Sequence, residues 1–172
     1  MNKLTPVQQK FVLHWGEMGL RWGINRTVAQ VHALLFLSPK PLNADDLTGL
    51  LGVARSNISF CLRELQRWGI VKVTHVMGDR RDHFECMKDV WEMFRLILNE
   101  RKKREIDPTV QLLRECAADA EKGREEYARE RLTEMRDFFE AMSGWYDQID
   151  AMSTPTVVKF VKLGDKLRKI LG

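Results

Sequence analysis

The stretch Leu47-Thr48-Gly49-Leu50-Leu51-Gly52-Val53-Ala54-Arg55-Ser56-Asn57-Ile58-Ser59-Phe60-Cys61-Leu62-Arg63-Glu64-Leu65 decides the fold. Leu47, Leu50 and Leu51 share one face of a short helix. Gly52 permits a tight turn, and Val53 fills the angle between that helix and the next. Ile58, Leu62 and Leu65 then recur at i, i+4 and i+7, the inward stripe of a second helix. Arg55, Ser56, Asn57, Ser59 and Arg63 are left on its outer side, near its start. Two helices joined by a glycine turn, with a polar and basic outer face on the second, form a helix-turn-helix. Ala54 is a weak cap where Ser or Thr is usual.

Outward from this core the period of the apolar residues assigns the neighbours. Val7, Phe11, Trp15, Met18 and Trp22 predict an amphipathic helix from Pro6 to Trp22, ended by Gly23. Asn25 caps a second helix through Ser38, stopped by Pro39 and Pro41, and Asn43 caps the third, Ala44–Leu51. After Gly69 the period changes. Residues 70–76 are β-branched and partly alternating, 77–82 are polar, and 83–87 alternate again, a hairpin that is the one expected β structure. From Asp89 on the chain reads as helices: one to the charge run at 101–105, one begun at Pro108 with a break near Gly123, one through about Met152, and one from Thr156 to Leu171 carrying Val157, Phe160, Val161, Leu167 and Ile170. The expected fold is mainly α: a winged helix-turn-helix with a two-stranded β wing over residues 1–88, and a helical linker, dimerisation and possible effector region over residues 89–172.

Composition narrows the function. With 44% hydrophobic and 30% charged residues the 172-residue chain has a globular rather than a disordered balance. No apolar run approaches the roughly 20 residues needed to span a bilayer, and no leader pattern follows Met1, so a cytoplasmic location without a membrane partner is expected. Cys61, Cys86 and Cys116 are odd in number and widely spaced, which predicts small buried hydrophobes rather than a disulfide framework. The basic excess lies in the first half, with 12 Lys and Arg against 7 Asp and Glu in residues 1–88, and 16 against 17 in residues 89–172. That asymmetry points to a polyanion partner for the first half.

A helix fits the DNA major groove, and short polar side chains with arginine at its N-terminal end reach base edges and phosphates. Arg55, Ser56, Asn57, Ser59 and Arg63 are the candidates on that helix. Arg80 and Arg81, at the tip of the hairpin, suit a minor groove or a phosphate, with Asp79 and Asp82 placed to orient them. Phe138, Phe139, Met142, Trp145, Tyr146 and Ile149, with Phe160 and Val161, offer more apolar surface than a short helical tail buries within itself, so a homodimer is expected.

The run Arg63-Glu64-Leu65-x-x-Trp68-Gly69-Ile70-Val71 and the wing Gly78-Asp79-Arg80-Arg81-Asp82-His83-Phe84-Glu85 resemble the MarR superfamily of regulators, whose wing Asp-x-Arg is matched by Asp79 and Arg81. Asp89-Val90-Trp91-x-x-Phe94-Arg95-x-Ile97 and Arg101-Lys102-x-Arg104-Glu105-Ile106-x-Pro108 resemble, more narrowly, its GbsR-type branch. The resemblance runs from about Phe11 to Met152. It implies a transcription regulator, expected to be a repressor, that binds double-stranded DNA at a pseudo-palindromic operator as a homodimer. It also implies control of osmoprotectant genes and sensing of a choline-like cation. A quaternary ammonium is held by aromatic faces. The candidates are Trp15, Trp22, Trp91 and Trp145, with Glu92 and Asp147 as carboxylate partners, although large apolar side chains at helical spacing more often serve packing.

Three other function classes compete with this one. For an enzyme there is no phosphate-binding glycine loop, no nucleophile elbow and no H-E-x-x-H motif, and the acid pairs Asp45/Asp46 and Glu125/Glu126 are adjacent rather than facing. No cofactor is expected. A metal-responsive regulator would use His75, His83 and Cys86 across the hairpin. A protein-binding adaptor would use the same fold without needing the arginines of wing and helix together.

Overall fold

The computed structural model describes residues 3–171, without the side chains of Lys162 and of 164–171. Leu167 and Ile170 on the last helix therefore lie outside the described side chains. The chain divides into two compact units, Met1–Met93 and Phe94–Gly172. No helix among the described residues is long and apolar enough to cross a membrane.

In the first unit, α1 (Pro6–Arg21) opens with a capping box. The Thr5 hydroxyl accepts from the Gln8 amide, and the Gln8 side chain accepts from the Thr5 amide. The face that α1 buries fully is offset from the expected stripe, of which Phe11, Trp15 and Met18 are half-buried. Val12, Gly16 and Gly19 are buried, while Val7 and Trp22 are exposed. A Cβ built on Gly19 would stand 2.5 Å from Cβ of Ala29, so glycine is what lets α1 approach α2 (Arg26–Leu37) this closely. Hydropathy gives glycine no weight, and so it marks the aromatic stripe as the inner face instead.

Helix α2 is capped by Asn25, whose side chain accepts from the amides of Thr27 and Val28, and it buries Val28, Val31, Leu34 and Leu35. At its other end the Lys88 ammonium donates to the carbonyls of Leu35 (2.9 Å), Phe36 (2.7 Å) and Ser38 (3.0 Å). These are carbonyls that a helix C-terminus leaves without intrahelical partners, and a cation is favoured there by the helix dipole.

The hairpin strands are β2 (Val71–Thr74) and β3 (His83–Cys86), paired antiparallel with Val71 opposite Cys86 and Thr74 opposite His83. The two-stranded wing is present as expected, but it is not the whole sheet. A third strand, β1 (Leu42–Asn43), pairs with β3 in the order β1-β3-β2, with Leu42 opposite Phe84. Two residues carry no readable period, but Asn43 must be extended to cap α3 (Ala44–Leu51), and that backbone is free to join a sheet edge.

Helix α3 ends at Gly52, whose φ of 66° makes the turn into α4 (Arg55–Arg67). The inner residues of this pair belong to the core: Leu47, Ile58, Cys61, Leu62 and Leu65 are all at most 2% exposed.

The second unit holds most of α5 (Val90–Arg101), then α6 (Asp107–Gly123), α7 (Glu126–Ala151) and α8 (Thr154–Leu171). The expected break at the charge run is absent. Residues Lys102–Ile106 form a π-helical turn, so α5 passes into α6 without interruption, with Pro108 accommodated in the first turn of α6. Lys102 stabilises this turn by bridging Asp107 (2.9 Å) and Asp147 of α7 (3.2 Å). The break near Gly123 is real, and the left-handed residue there is Arg124, with φ 58°. Val110, Leu113, Ala117 and Ala120 are the buried face of α6. Helix α7 buries no residue fully and exposes Met135, Phe138, Met142 and Trp145 at near-heptad spacing.

Candidate nucleic-acid interface

Helix α4 is amphipathic by construction. Its inner residues are fixed by the core, so Arg55, Ser56, Asn57 and Arg63 are exposed and Ser59 is half-buried. No side chain caps its N-terminus at Ala54. The weak cap in the sequence thus corresponds to a helix end whose amides are open to an anion, beside an arginine. Asn57 is exposed, but its Oδ1 accepts from the Cys61 thiol at 3.6 Å. Burial pushes that thiol up to about 11, so it stays protonated and able to donate.

The wing tip is a tight turn. The Asp79 amide donates to the Val76 carbonyl at 3.0 Å, and Gly78 takes φ 85°. Positive φ at the third position alone defines a type II turn, which glycine adopts without strain and which puts Met77 at the corner. Asp79 then organises the two arginines after it. Its carboxylate accepts from the Arg81 amide at 3.0 Å and from the Arg81 guanidinium Nε at 2.9 Å, and a second guanidinium nitrogen completes a forked pair. These hydrogen bonds from Arg81 hold the Asp79 carboxyl well below the usual carboxylate range, so it is ionised at any working pH.

The wing and α4 are joined by a residue that the sequence presents only as half of an adjacent acid pair. Asp45 forms ion pairs with Arg55 of α4 and, at 3.6 Å, with Arg81 of the wing. One carboxylate therefore links the two elements that carry the candidate contacts. They border a groove of about 330 Å³ lined by Arg55, Ser59, Arg63 and Arg81 together with Asp45 and Asp82. Asp82, expected to share in orienting the arginines, has no ion pair among the described residues, and neither do Arg63 and Arg80, both exposed. The four arginines thus divide into two held by internal acids and two open to a partner.

Trp15 stacks on Phe11 with ring centroids 5.4 Å apart and meets the edge of Trp22 at 6.0 Å. Trp91 sits in the first turn of α5, its amide donating to the Asp89 side chain. Trp145 belongs to the second unit, edge-on to Tyr146 at 6.2 Å. His75 is exposed, while His83 is buried with Nδ1 3.0 Å from the Arg81 carbonyl. Among the described residues no group of three or more His, Cys, Asp or Glu side chains is placed to hold a metal ion.

Beneath Trp15 lies a buried histidine. The indole N–H of Trp15 donates to Nδ1 of His32 at 3.2 Å, which leaves the proton on Nε2, 3.0 Å from the Met93 sulfur. Burial, and after it the Lys88 ammonium, lower the imidazole from 6.5 to about 4. The unfolded chain therefore takes up this proton first as the pH falls. The contribution to stability is complete above pH 6.5, drains between 6.5 and about 4, and is exhausted below that. At about 1.4 kcal/mol per unit the window amounts to about 3 kcal/mol. Denaturant melts from pH 7.5 to 4.5 should show wild type losing that much more stability than His32→Gln; parallel losses would mean that the imidazole is solvated in the folded protein.

No family model matches the chain. It is 22% identical over 154 residues to the HTH-type transcriptional repressor GbsR of Bacillus subtilis (strain 168), a match that covers 84% of this chain and 85% of that protein. Among solved structures, a crystal structure of a transcriptional regulator superposes with a TM-score of 0.65 at 21% identity, covering 84% of this chain and 96% of the other. A transcriptional regulator from Thermotoga maritima gives a TM-score of 0.40 at 17% identity. The first superposition shows the winged-helix fold, and the similarity to GbsR extends over most of the chain.

Proposed function

We propose that the chain is a cytoplasmic DNA-binding transcription regulator, a repressor of the GbsR type, with α4 in the major groove and the wing in the adjacent minor groove. The observation that carries this is the convergence of Arg55, Arg63 and Arg81, from recognition helix and wing, on one polar groove of the first unit. Phosphates and base edges are met by such a set of guanidinium and hydroxyl groups on an exposed helix and wing. The similarity to a named repressor over 154 residues supports the same reading.

In finer detail, the regulator binds a pseudo-palindromic operator as a homodimer and controls osmoprotectant genes in response to a choline-like cation. The dimer is supported by the exposed stripe Met135, Phe138, Met142 and Trp145 on α7. Light scattering at micromolar concentration should give twice the chain mass, and Phe138→Lys together with Trp145→Lys should give the monomer. A monomeric wild type would refute the dimer. The cation rests on the resemblance, with Trp15 and Trp22 as the aromatic pair that meets in the first unit.

Selection of bound sequences from a random DNA pool tests the main reading. On the selected site Asn57→Ala should cost about 1–3 kcal/mol and much less on random DNA, as expected for a base-edge contact. Equal losses on both would assign Asn57 to the backbone.

A further inference from the structure

We propose that Met77 is an apolar wedge which the wing drives into the DNA minor groove against the base stack, so that the protein selects base steps that open easily. The inference rests on the DNA-binding reading of the wing and adds to it a determinant of sequence preference.

Met77 is 102% exposed, more than any other large hydrophobic side chain among the described residues. Leaving such a side chain in water forgoes the gain of burying it. The fold does not require it, since the second position of a type II turn accepts proline and most polar residues. Val76 beside it is also exposed, at 40%.

The corner is rigid where a wedge must be rigid. The turn is closed by the bond from the Asp79 amide to the Val76 carbonyl, and Asp79 is locked in turn to the Arg81 amide and guanidinium. Met77 is therefore held at a fixed offset from Arg81, with Arg80 exposed between them in the chain. An apolar turn corner followed within four residues by two arginines, one of them without an ion pair among the described residues, suits few partners. An apolar protein surface would have to desolvate the arginines, at high cost. A minor groove satisfies both chemistries: phosphates on its walls take the arginines, and the base stack at its floor takes the thioether. An unbranched, polarisable side chain is suited to such insertion, and methionine is among the residues that proteins use to part base steps. Steps such as TA and CA/TG open at least cost, whereas A-tracts are stiff.

The test uses the full chain and its selected site, made in two forms with a TA step or an A-tract under the wing, and with 2-aminopurine at that step. Wild type should prefer the TA form by on the order of 10-fold, with a rise in 2-aminopurine fluorescence on binding. Met77→Ala and Met77→Gln should reduce the ratio to near unity and abolish the rise, while Met77→Leu keeps both. All variants should keep the wild-type salt slope, because the phosphate contacts are untouched. An unchanged ratio in Met77→Ala, or an equal loss on both forms, overturns the wedge and leaves DNA binding in place. Failure of wild type to bind any selected DNA overturns both.

Discussion

Replacing Arg80 and Arg81 together by alanine is expected to weaken DNA binding on the order of 100-fold at physiological salt and to lower the salt slope by about 2 per wing. The two arginines should not contribute equally. Arg80 has no ion pair among the described residues and Arg81 is held by Asp79, so a count of available charges would favour Arg80. The opposite order is expected. Removing Arg81 strips the ionised Asp79 of the group that neutralises it, and leaves a carboxylate pointing at the phosphates. Arg81→Ala should therefore be the more damaging single change, and Asp79→Asn in that background should recover part of the loss. Fluorescence anisotropy across a salt series checks both points. A double variant with wild-type affinity and slope would remove the wing from the interface.

The second large effect is on folding. Gly19→Ala is expected to destabilise the first unit by about 1–3 kcal/mol, while Gly16→Ala is expected to cost clearly less. Alanine improves helix propensity by at most about 1 kcal/mol at either site. At Gly19 the new methyl would lie 2.5 Å from Cβ of Ala29, an atom fixed by the backbone of α2, so the helices must move apart. At Gly16 the nearest atoms are Cγ of Gln30 at 2.8 Å and Cγ of Arg26 at 3.2 Å, side-chain atoms that can shift by rotation without moving the backbone of α2. Thermal or denaturant melts of the two variants separate these outcomes. Equal behaviour would show that the contact between α1 and α2 is looser than this geometry.

The parts of the fold that are legible in the sequence are those whose cause is local. Asn25 and Asn43 cap where their side chains can reach the next amides, Gly52 turns where its own φ allows, and Ile58, Leu62 and Leu65 face inward because three residues on one stripe suffice to orient a helix. The hairpin comes from alternation within two short runs. The features that escape a sequence reading depend on contacts between distant residues or on backbone alone. The buried face of α1 is made largely of Gly16 and Gly19, which carry no hydropathy signal. Strand β1 is too short to show a period. In the interface, spacing is enough to name the outward residues of α4 and the wing arginines, but not the role of Asp45. Its partners Arg55 and Arg81 lie far apart in the chain, and only the packing of the wing beside α4 brings both to one carboxylate.

The π-helical turn at Lys102–Ile106 bears on how this chain is to be matched with its relatives. Such a turn is a helix that has taken in one surplus residue, and at 3.6 residues per turn one residue displaces everything beyond it by about 100° around the axis. A relative lacking the surplus residue would present a different side of its following helix at the same alignment column. Across that point, positional equivalence in α6 holds only with a single-residue gap placed inside an unbroken helix, where alignment by helix ends would never put one.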